Sequence, residues 1–174
     1  DIEYAPFRYI TSEEPFRLSL PINDGEVNIT GIIDRVDEKE GKFRILDYKT
    51  GSENLKFKNL DDVFSHDKSD RNSYVLQTML YGMYYINKKE NAIIEPGLYF
   101  IRKTVQENFS TQLIYKPDNK TIKPISDFSM WTDEFKEHLI NCLEELFNPD
   151  VPFFQTEDVG NCENCSFTGI CQRL

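Results

Sequence analysis

The chain has 174 residues with a formal net charge of −10 at pH 7, and 39% of its residues are hydrophobic. This length fits one domain with a substantial core, and the apolar content excludes a disordered chain. The negative charge argues against binding nucleic acid by bulk electrostatics, although a local basic channel is not excluded. No apolar run approaches the roughly 20 residues of a membrane span, and no signal-peptide pattern opens the chain. We therefore expect a soluble, cytoplasmic protein without a membrane partner.

Hydrophobic periodicity predicts strands, a helix, further strands and a long second helix, which is typical of an α+β or mixed α/β domain. The predicted elements are an irregular N-terminal segment at 1–15, strands at 16–22, 27–37 and 43–50, a long polar loop at 51–72 with room for a short helical piece, a helix at 73–89, strands at 97–103 and 109–115, a loop at 117–125 and a helix at 128–147. The expected buried stripes are Leu76, Leu80, Met83 and Tyr84 on the first helix, and Trp131, Phe135, Leu139, Cys142, Leu143 and Leu146 on the second.

The second and third strands are predicted to form a hairpin that carries acids inside otherwise apolar strands. With Glu40-Gly41 as its two-residue loop, Asp34 stands directly opposite Asp47. The period of two then places Asp34, Asp47 and Lys49 on one face of the hairpin. The same face is predicted to carry Ile32, Val36 and Ile45.

Two carboxylates that face each other about 5 Å apart repel, and a bound cation removes that repulsion. Mg²⁺ prefers oxygen ligands and is commonly held by one or two carboxylates. Lys49 would then project towards the metal, where it could orient an attacking water or neutralise charge on a phosphate oxygen. The alternative is an ordinary exposed hairpin whose acids and lysine form a solvated face.

A second candidate site lies in the C-terminal tail, where Cys162, Cys165 and Cys171 follow the spacing C-x2-C-x5-C. Cysteines packed this closely favour a metal or cluster site over disulfides. Zinc and a 4Fe–4S cluster each require four ligands, so one is missing. Cys142 is predicted to be a buried core thiol, and the fourth ligand is expected outside this chain. His66 and His138 could complete a zinc site, but their spacing does not support it.

Four motifs resemble the RecB-like branch of the PD-(D/E)xK nuclease superfamily, most closely the nuclease domain of AddB-type helicase–nuclease subunits. They are GIIDRVD with Asp34, DYKTG with Asp47 and Lys49, QTMLY with Gln77 and Tyr81, and the three-cysteine tail. The resemblance covers roughly residues 28–85 and 160–172, in the family's order.

The resemblance implies a restriction-endonuclease-like core, in which a mixed sheet is flanked by helices, and a deoxyribonuclease that depends on Mg²⁺ or Mn²⁺. It implies that Asp34, Asp47 and the backbone carbonyl of Tyr48 hold the metal and that Lys49 is catalytic. Gln77 and Tyr81 would position the DNA strand or the lysine. Cys162, Cys165 and Cys171 would be three of the four ligands of a 4Fe–4S cluster.

The resemblance also implies a single nuclease domain over residues 1–174, with a cluster-type tail at 160–174, in a bacterial cytoplasmic protein. Its expected partners are DNA ends or single strands and a helicase subunit or domain. The family's upstream metal ligand and first cluster cysteine are absent, so we expect a fragment that binds metal and cluster poorly and could be inactive by itself.

Three alternatives stay open at this point. A stand-alone CRISPR-associated nuclease of the same RecB-like type has a similar size and a similar cysteine tail, although the motifs IDRVD and DYK favour the AddB type. A non-catalytic module that binds DNA ends could keep the fold, but it would have no physical reason to keep facing acids. A zinc-binding interaction module would rest on the cysteine tail alone.

Overall fold

A four-stranded mixed sheet forms the centre of the computed structural model, which describes residues 2–23, 25–52, 54–65, 72–107 and 109–172. The strands are β1 (Arg8–Ile22), β2 (Gly25–Lys39), β3 (Lys42–Lys49), β4 (Lys56–Phe57), β5 (Ile93–Phe100), β6 (Ile114–Tyr115) and β7 (Lys123–Pro124). The α-helices are α1 (Leu60–Val63), α2 (Ser73–Lys88), α3 (Thr132–Phe147) and α4 (Thr168–Cys171), with 3₁₀ turns at Ile101–Lys103, Ser129–Trp131 and Val159–Cys162. None of the helices in this described part of the chain has the length and hydrophobicity to cross a lipid bilayer.

The central sheet has the strand order β1-β2-β3-β5, antiparallel except for the parallel pair β3–β5. A parallel pair needs a crossover connection, and α2 lies on this crossover and packs against β5 and β3. A smaller sheet joins β4, β6 and β7, in which β4 and β6 run parallel. The mixed sheet with its helices confirms the predicted α+β class and is consistent with a restriction-endonuclease-like core.

The hairpin between β2 and β3 turns at Glu40 and Gly41, where φ is +55° and +82°. Two positive φ angles in a two-residue loop indicate a type I′ turn, whose twist matches that of the flanking strands. The first ladder pair is Lys39 with Lys42, so the predicted loop is confirmed. The predicted turn before β2 includes Asp24, which lies outside the described residues.

The alternation of side chains along β2 differs from the prediction. Ile32 is predicted to share a face with Val36, but it is 52% exposed, whereas the neighbouring Ile33 is fully buried. Since Val36 is also fully buried, the strict period of two breaks between these positions. The ladder with β1 is irregular at the same place, because Glu13, which would pair with Asp34, has a positive φ of +50° and makes no pair there.

Helix α2 begins as predicted, because the Asn72 side chain accepts a hydrogen bond from the Val75 amide (3.2 Å). Its buried residues are Val75, Thr78, Met79, Tyr81, Gly82, Met83 and Tyr85, whereas Leu76, Leu80 and Tyr84 of the predicted stripe are only partly buried. The helix contacts the central sheet, α1 and α3. Which residues of α2 are buried therefore depends on its packing against several neighbours, more than on the apolarity of single side chains.

The N-terminal segment and the fifth strand also differ from the prediction. Residues 8–15 belong to β1 and pair with residues 32–38 of β2, although their mostly exposed side chains show no apolar alternation. Strand β5 ends at Phe100, three residues earlier than predicted, because its partner Lys49 is the last residue of β3. Without a neighbouring strand, the chain continues as a 3₁₀ turn.

The regions predicted as loops contain short strands. The segment 51–72 holds β4 and α1, and its residues 66–71 lie outside the described residues. The predicted strand 109–115 reduces to β6 and to a bridge between Gln112 and Gly97. The predicted loop 117–125 contains β7. These strands are two residues long, too short to show a hydrophobic period.

Helix α3 is buried only over its first half. Phe135 and Leu139 lie in the core, but Leu146 is half exposed. Cys142 is exposed, so the prediction of a buried core thiol is wrong. The pattern of apolar residues continues past the end of the surface that α3 contacts, and periodicity alone cannot reveal where that surface ends.

Candidate active site

The two acids of the hairpin lie where β2 separates from β3. The ladder between these strands stops at the pair Arg35–Leu46, one position before Asp34 and Asp47. The Tyr48 amide, which a longer ladder would have bonded to the β2 backbone, instead donates to Asp34 Oδ2 (2.7 Å). The side chain of Asp34 thus replaces the backbone as the link between the strands.

Asp47 is 2% exposed and lies on β3, which is buried between β2 and β5. Its Oδ2 atom lies 2.6 Å from Lys49 Nζ, but without hydrogen-bond alignment, and has no hydrogen-bond partner among the described residues. Burial raises the pKa of Asp47, and the nearby Asp34 charge raises it further, while Lys49 lowers it. The ion pair therefore does not fully offset the cost of burying this carboxylate.

Lys49, at the end of β3, is held on three sides. Besides Asp47, its ammonium donates a hydrogen bond to Gln77 Oε1 (2.8 Å) on α2. The same ammonium lies over the Tyr74 ring, 5.0 Å from the centroid. Aromatic faces attract cations, so the carboxylate, the amide and the ring together fix the position of the lysine.

Gln77 in turn is held by Tyr81, one helical turn further along α2. Gln77 Nε2 donates to the Tyr81 hydroxyl (2.7 Å), and the Tyr81 ring packs edge-on against Phe16 of β1. Burial raises the pKa of Tyr81, and the charges of Asp47 and Asp34 raise it further, whereas the Gln77 hydrogen bond lowers it. Tyr81 therefore stays a neutral phenol that orients the Gln77 amide.

The structure brings Asp34, Asp47, Lys49, Gln77 and Tyr81 together on the side of the sheet that α2 covers. Sequence reasoning missed Tyr74, whose ring lies against the Lys49 ammonium. Its signal in the sequence is an aromatic residue three positions before Gln77, which places both on one helical face. A Cβ atom on Gly51 would lie 2.9 Å from the Tyr74 hydroxyl, so this glycine gives the tyrosine room.

The donor set fits a divalent cation. Two carboxylates approach each other here, and the buried Asp47 Oδ2 lacks the hydrogen bond that such an atom usually has. Asp34 and Asp47 would hold the ion, in keeping with the preference of Mg²⁺ for one or two carboxylates. Over the described residues, no group of three or more His, Cys, Asp or Glu side chains could hold a metal ion. The Tyr48 carbonyl as a ligand stays a prediction.

The structure does not bring the three cysteines of the tail together as a metal site. Cys162 ends a 3₁₀ turn, Cys171 ends α4 and Cys165 lies between them, and they form no metal-binding group within the described chain. His138 stacks on Phe64, and His66 lies outside the described residues. A cluster at these cysteines therefore stays a prediction.

The opposite face of the hairpin carries a buried ion-pair cluster. Asp37 is fully buried and accepts two hydrogen bonds from Arg44, at 3.0 and 2.8 Å, directly across the ladder. Arg35 NH2 also lies 2.8 Å from Asp37. The Tyr4 ring covers Arg44, with its centroid 3.7 Å from Cζ. The second acid of the DRVD segment therefore joins the strands of the hairpin and takes no part in the site.

Two comparisons with known proteins bear on this site. A search of curated proteins found no significant match. The family model of the PD-(D/E)XK nuclease superfamily matches residues 1–172. The match spans the hairpin, α2 and the cysteine tail, so it includes every residue of the candidate site. The chain therefore belongs to the PD-(D/E)XK nuclease superfamily.

Proposed function

We propose that this chain hydrolyses phosphodiester bonds of DNA, with Mg²⁺ or Mn²⁺ held by Asp34 and Asp47 and with Lys49 as the catalytic lysine. The observation that carries the proposal is the continuous set of contacts from Asp47 through Lys49 to Gln77. Membership of a nuclease superfamily supports the reaction class.

Asp34 and Asp47 would hold the cation, which would supply Lewis-acid polarisation of the scissile phosphate and a bound water of lowered pKa. Lys49 presents its ammonium to the phosphate oxygen on which negative charge accumulates, or to the attacking water. Gln77 holds the lysine through its carbonyl oxygen, because its amide nitrogen is already directed to Tyr81. Tyr74 keeps solvent from one side of the ammonium.

A finer assignment follows from the sequence resemblance. It places the domain in an AddB-type helicase–nuclease that processes DNA ends during recombinational repair, with a helicase subunit or domain as its partner. A 4Fe–4S cluster at Cys162, Cys165 and Cys171 belongs to the same proposal. Its support is the cysteine spacing alone, since these side chains do not converge in the described chain.

Alanine substitutions at Asp47 and Lys49 test the proposed reaction. Each is expected to lower Mg²⁺-dependent cleavage of a DNA oligonucleotide by at least about 10²-fold, because each removes a group that acts on the developing charge. The controls are Glu26→Ala, on the exposed part of β2, and Lys89→Ala, just after α2. Circular dichroism checks that all four variants fold. Undiminished cleavage by both site variants would contradict the proposal.

A further inference from the structure

The small sheet presents three lysines on one face. Phe57 and Tyr115 point towards Trp131, with ring centroids 5.3 and 4.9 Å from the indole. Because side chains alternate along a strand, the residues on either side of these two aromatics point the other way. These are Lys56, Lys58 and Lys116, together with Ile114.

Hydrogen bonds fix the register of these lysines. The Ile114 amide donates to the Leu55 carbonyl, and the Lys116 amide to the Phe57 carbonyl, both at 2.8 Å. The register pairs Lys56 with Ile114 and Phe57 with Tyr115, and the bond from the Lys116 amide continues it towards Lys58, one residue past β4. Lys58 and Lys116 are therefore lateral neighbours, and like charges in such positions repel.

The three lysines line one cavity of about 710 Å³, which also includes Asn54, Phe57, Asp62, Asn72, Pro117, Asp118 and Asn119. None of the lysines has an ion-pair partner within the described chain. Of the two carboxylates, Asp118 accepts hydrogen bonds from the Lys120 and Thr121 amides of its own turn. With three lysines against the two carboxylates Asp62 and Asp118, the cavity wall has an excess of positive charge in a protein whose net charge is −10.

The cavity adjoins the candidate active site through the start of α2. Asn72, in the cavity wall, donates from Nδ2 to the carbonyls of Asn54 and Lys56. Two residues later, Tyr74 lies beneath the Lys49 ammonium and against Gly51. The first turn of α2 thus connects the wall of the lysine cavity to the residues around Lys49.

We propose that Lys56, Lys58 and Lys116 bind the phosphodiester backbone of the DNA strand, outside the scissile phosphate. This inference rests on the proposed nuclease function, because it takes DNA as the substrate. Backbone phosphates supply negative charges at regular spacing, and they relieve the repulsion between neighbouring lysines. Such contacts position a strand without reading its sequence.

The test compares the triple variant Lys56→Gln/Lys58→Gln/Lys116→Gln with wild type for binding of fluorescent single-stranded oligonucleotides without metal. Fluorescence anisotropy at several salt concentrations gives Kd. We expect binding to weaken at least about tenfold, and the slope of log Kd against log salt to fall by about 2. Asp62→Asn removes a carboxylate from the cavity and should change Kd in the opposite direction.

The charge-matched control is Lys89→Gln/Lys123→Gln/Lys136→Gln. Lys123 lies opposite Tyr115 and therefore on the other face of the same small sheet. An equal loss of affinity in this control would mean that net charge alone matters, and would overturn the proposal. An unchanged Kd and salt slope in the first triple variant would also overturn it.

Cleavage kinetics separate this inference from the proposed function. In Mg²⁺ the triple variant should show a raised KM with kcat unchanged, because its lysines do not touch the reacting atoms. The effect should disappear for oligonucleotides too short to span both sites. If wild type does not cleave DNA, the nuclease proposal fails, whereas the anisotropy result still decides whether the cavity binds a phosphodiester strand.

Discussion

At the scale of single residues, Asp47 combines deep burial with an incompletely bonded carboxylate. Burial raises its pKa, so the folded protein holds a proton that the unfolded chain has already lost. Above the folded-state pKa the charged carboxylate lowers stability, and this cost disappears as the pH falls through that pKa. A divalent ion at the carboxylate would remove the same cost at neutral pH.

Asp47→Asn is therefore expected to abolish cleavage and yet raise the melting temperature by a few degrees at neutral pH in EDTA. The difference should shrink as the pH approaches about 4, the ordinary range of an aspartate pKa. Differential scanning calorimetry at both pH values measures it. The control is Asp34→Asn, whose amide oxygen can still accept the Tyr48 N–H. A lower melting temperature for Asp47→Asn at neutral pH would contradict the argument.

Most of the candidate site could be predicted residue by residue, because acids inside apolar strands and a lysine two positions away are unusual. The roles of Tyr74 and of the lysines of the small sheet could not be predicted. Only the structure shows that the Tyr74 ring lies against Lys49. The lysines share a face because of the short pair β4–β6, which residues distant in sequence form.

At the scale of elements, the hairpin is joined by different interactions on its two faces. On the face opposite the site, Asp37 accepts bonds from Arg44 and lies beside Arg35, fully removed from water. Breaking a buried ion pair by removing one partner leaves an uncompensated charge. This cluster therefore maintains the register that positions Asp34 and Asp47.

Asp37→Ala is expected to lower the free energy of unfolding by about 3–5 kcal/mol, because two arginines lose their buried partner. Denaturant titration followed by circular dichroism measures the loss. The control is Glu26→Ala, an exposed carboxylate near the start of β2, whose removal should contribute little. A similar small effect for Asp37→Ala would show that the cluster is dispensable.

The hairpin loop was predictable because its turn type is fixed by two residues, and α2 because Asn72 caps it. The face on which Ile32 lies could not be predicted, since the prediction assumed an unbroken period of two along β2. A single irregularity in a strand moves all following side chains to the other face. Sequence patterns do not show where such an irregularity falls.

At the scale of the whole molecule, the core ends before the cysteine tail. The tail exposes large apolar side chains at Phe153, Phe154, Phe167 and Ile170, and the core consists of residues between Phe16 and Leu139. Truncation after Asn148 should therefore change the free energy of unfolding by no more than about 0.5 kcal/mol. Denaturant titration tests this. Phe135→Ala, in the same half of the chain, should by contrast cost about 3–5 kcal/mol.

A large loss of stability on truncation would mean that the tail packs on the core. The fold class was predictable at this scale, because the order of strands and helices follows from periodicity. The extent of the core could not be predicted. Leu146 and Cys142 continue the apolar pattern of α3, although both are exposed in the described chain.

The separation of β2 and β3 at Asp34 has a mechanical consequence. In a closed ladder, the distance between opposite side chains is set by hydrogen-bond spacing and is nearly constant. Here the two strands are hydrogen-bonded from the turn to the pair Arg35–Leu46, and the ladder ends before the two acids. A small change in the angle between them would alter the gap between the carboxylates without breaking a hydrogen bond of the ladder, and only the bond from the Tyr48 amide to Asp34 would have to adjust. We therefore expect the gap to accommodate ions of different radius, such as Mg²⁺ and Mn²⁺.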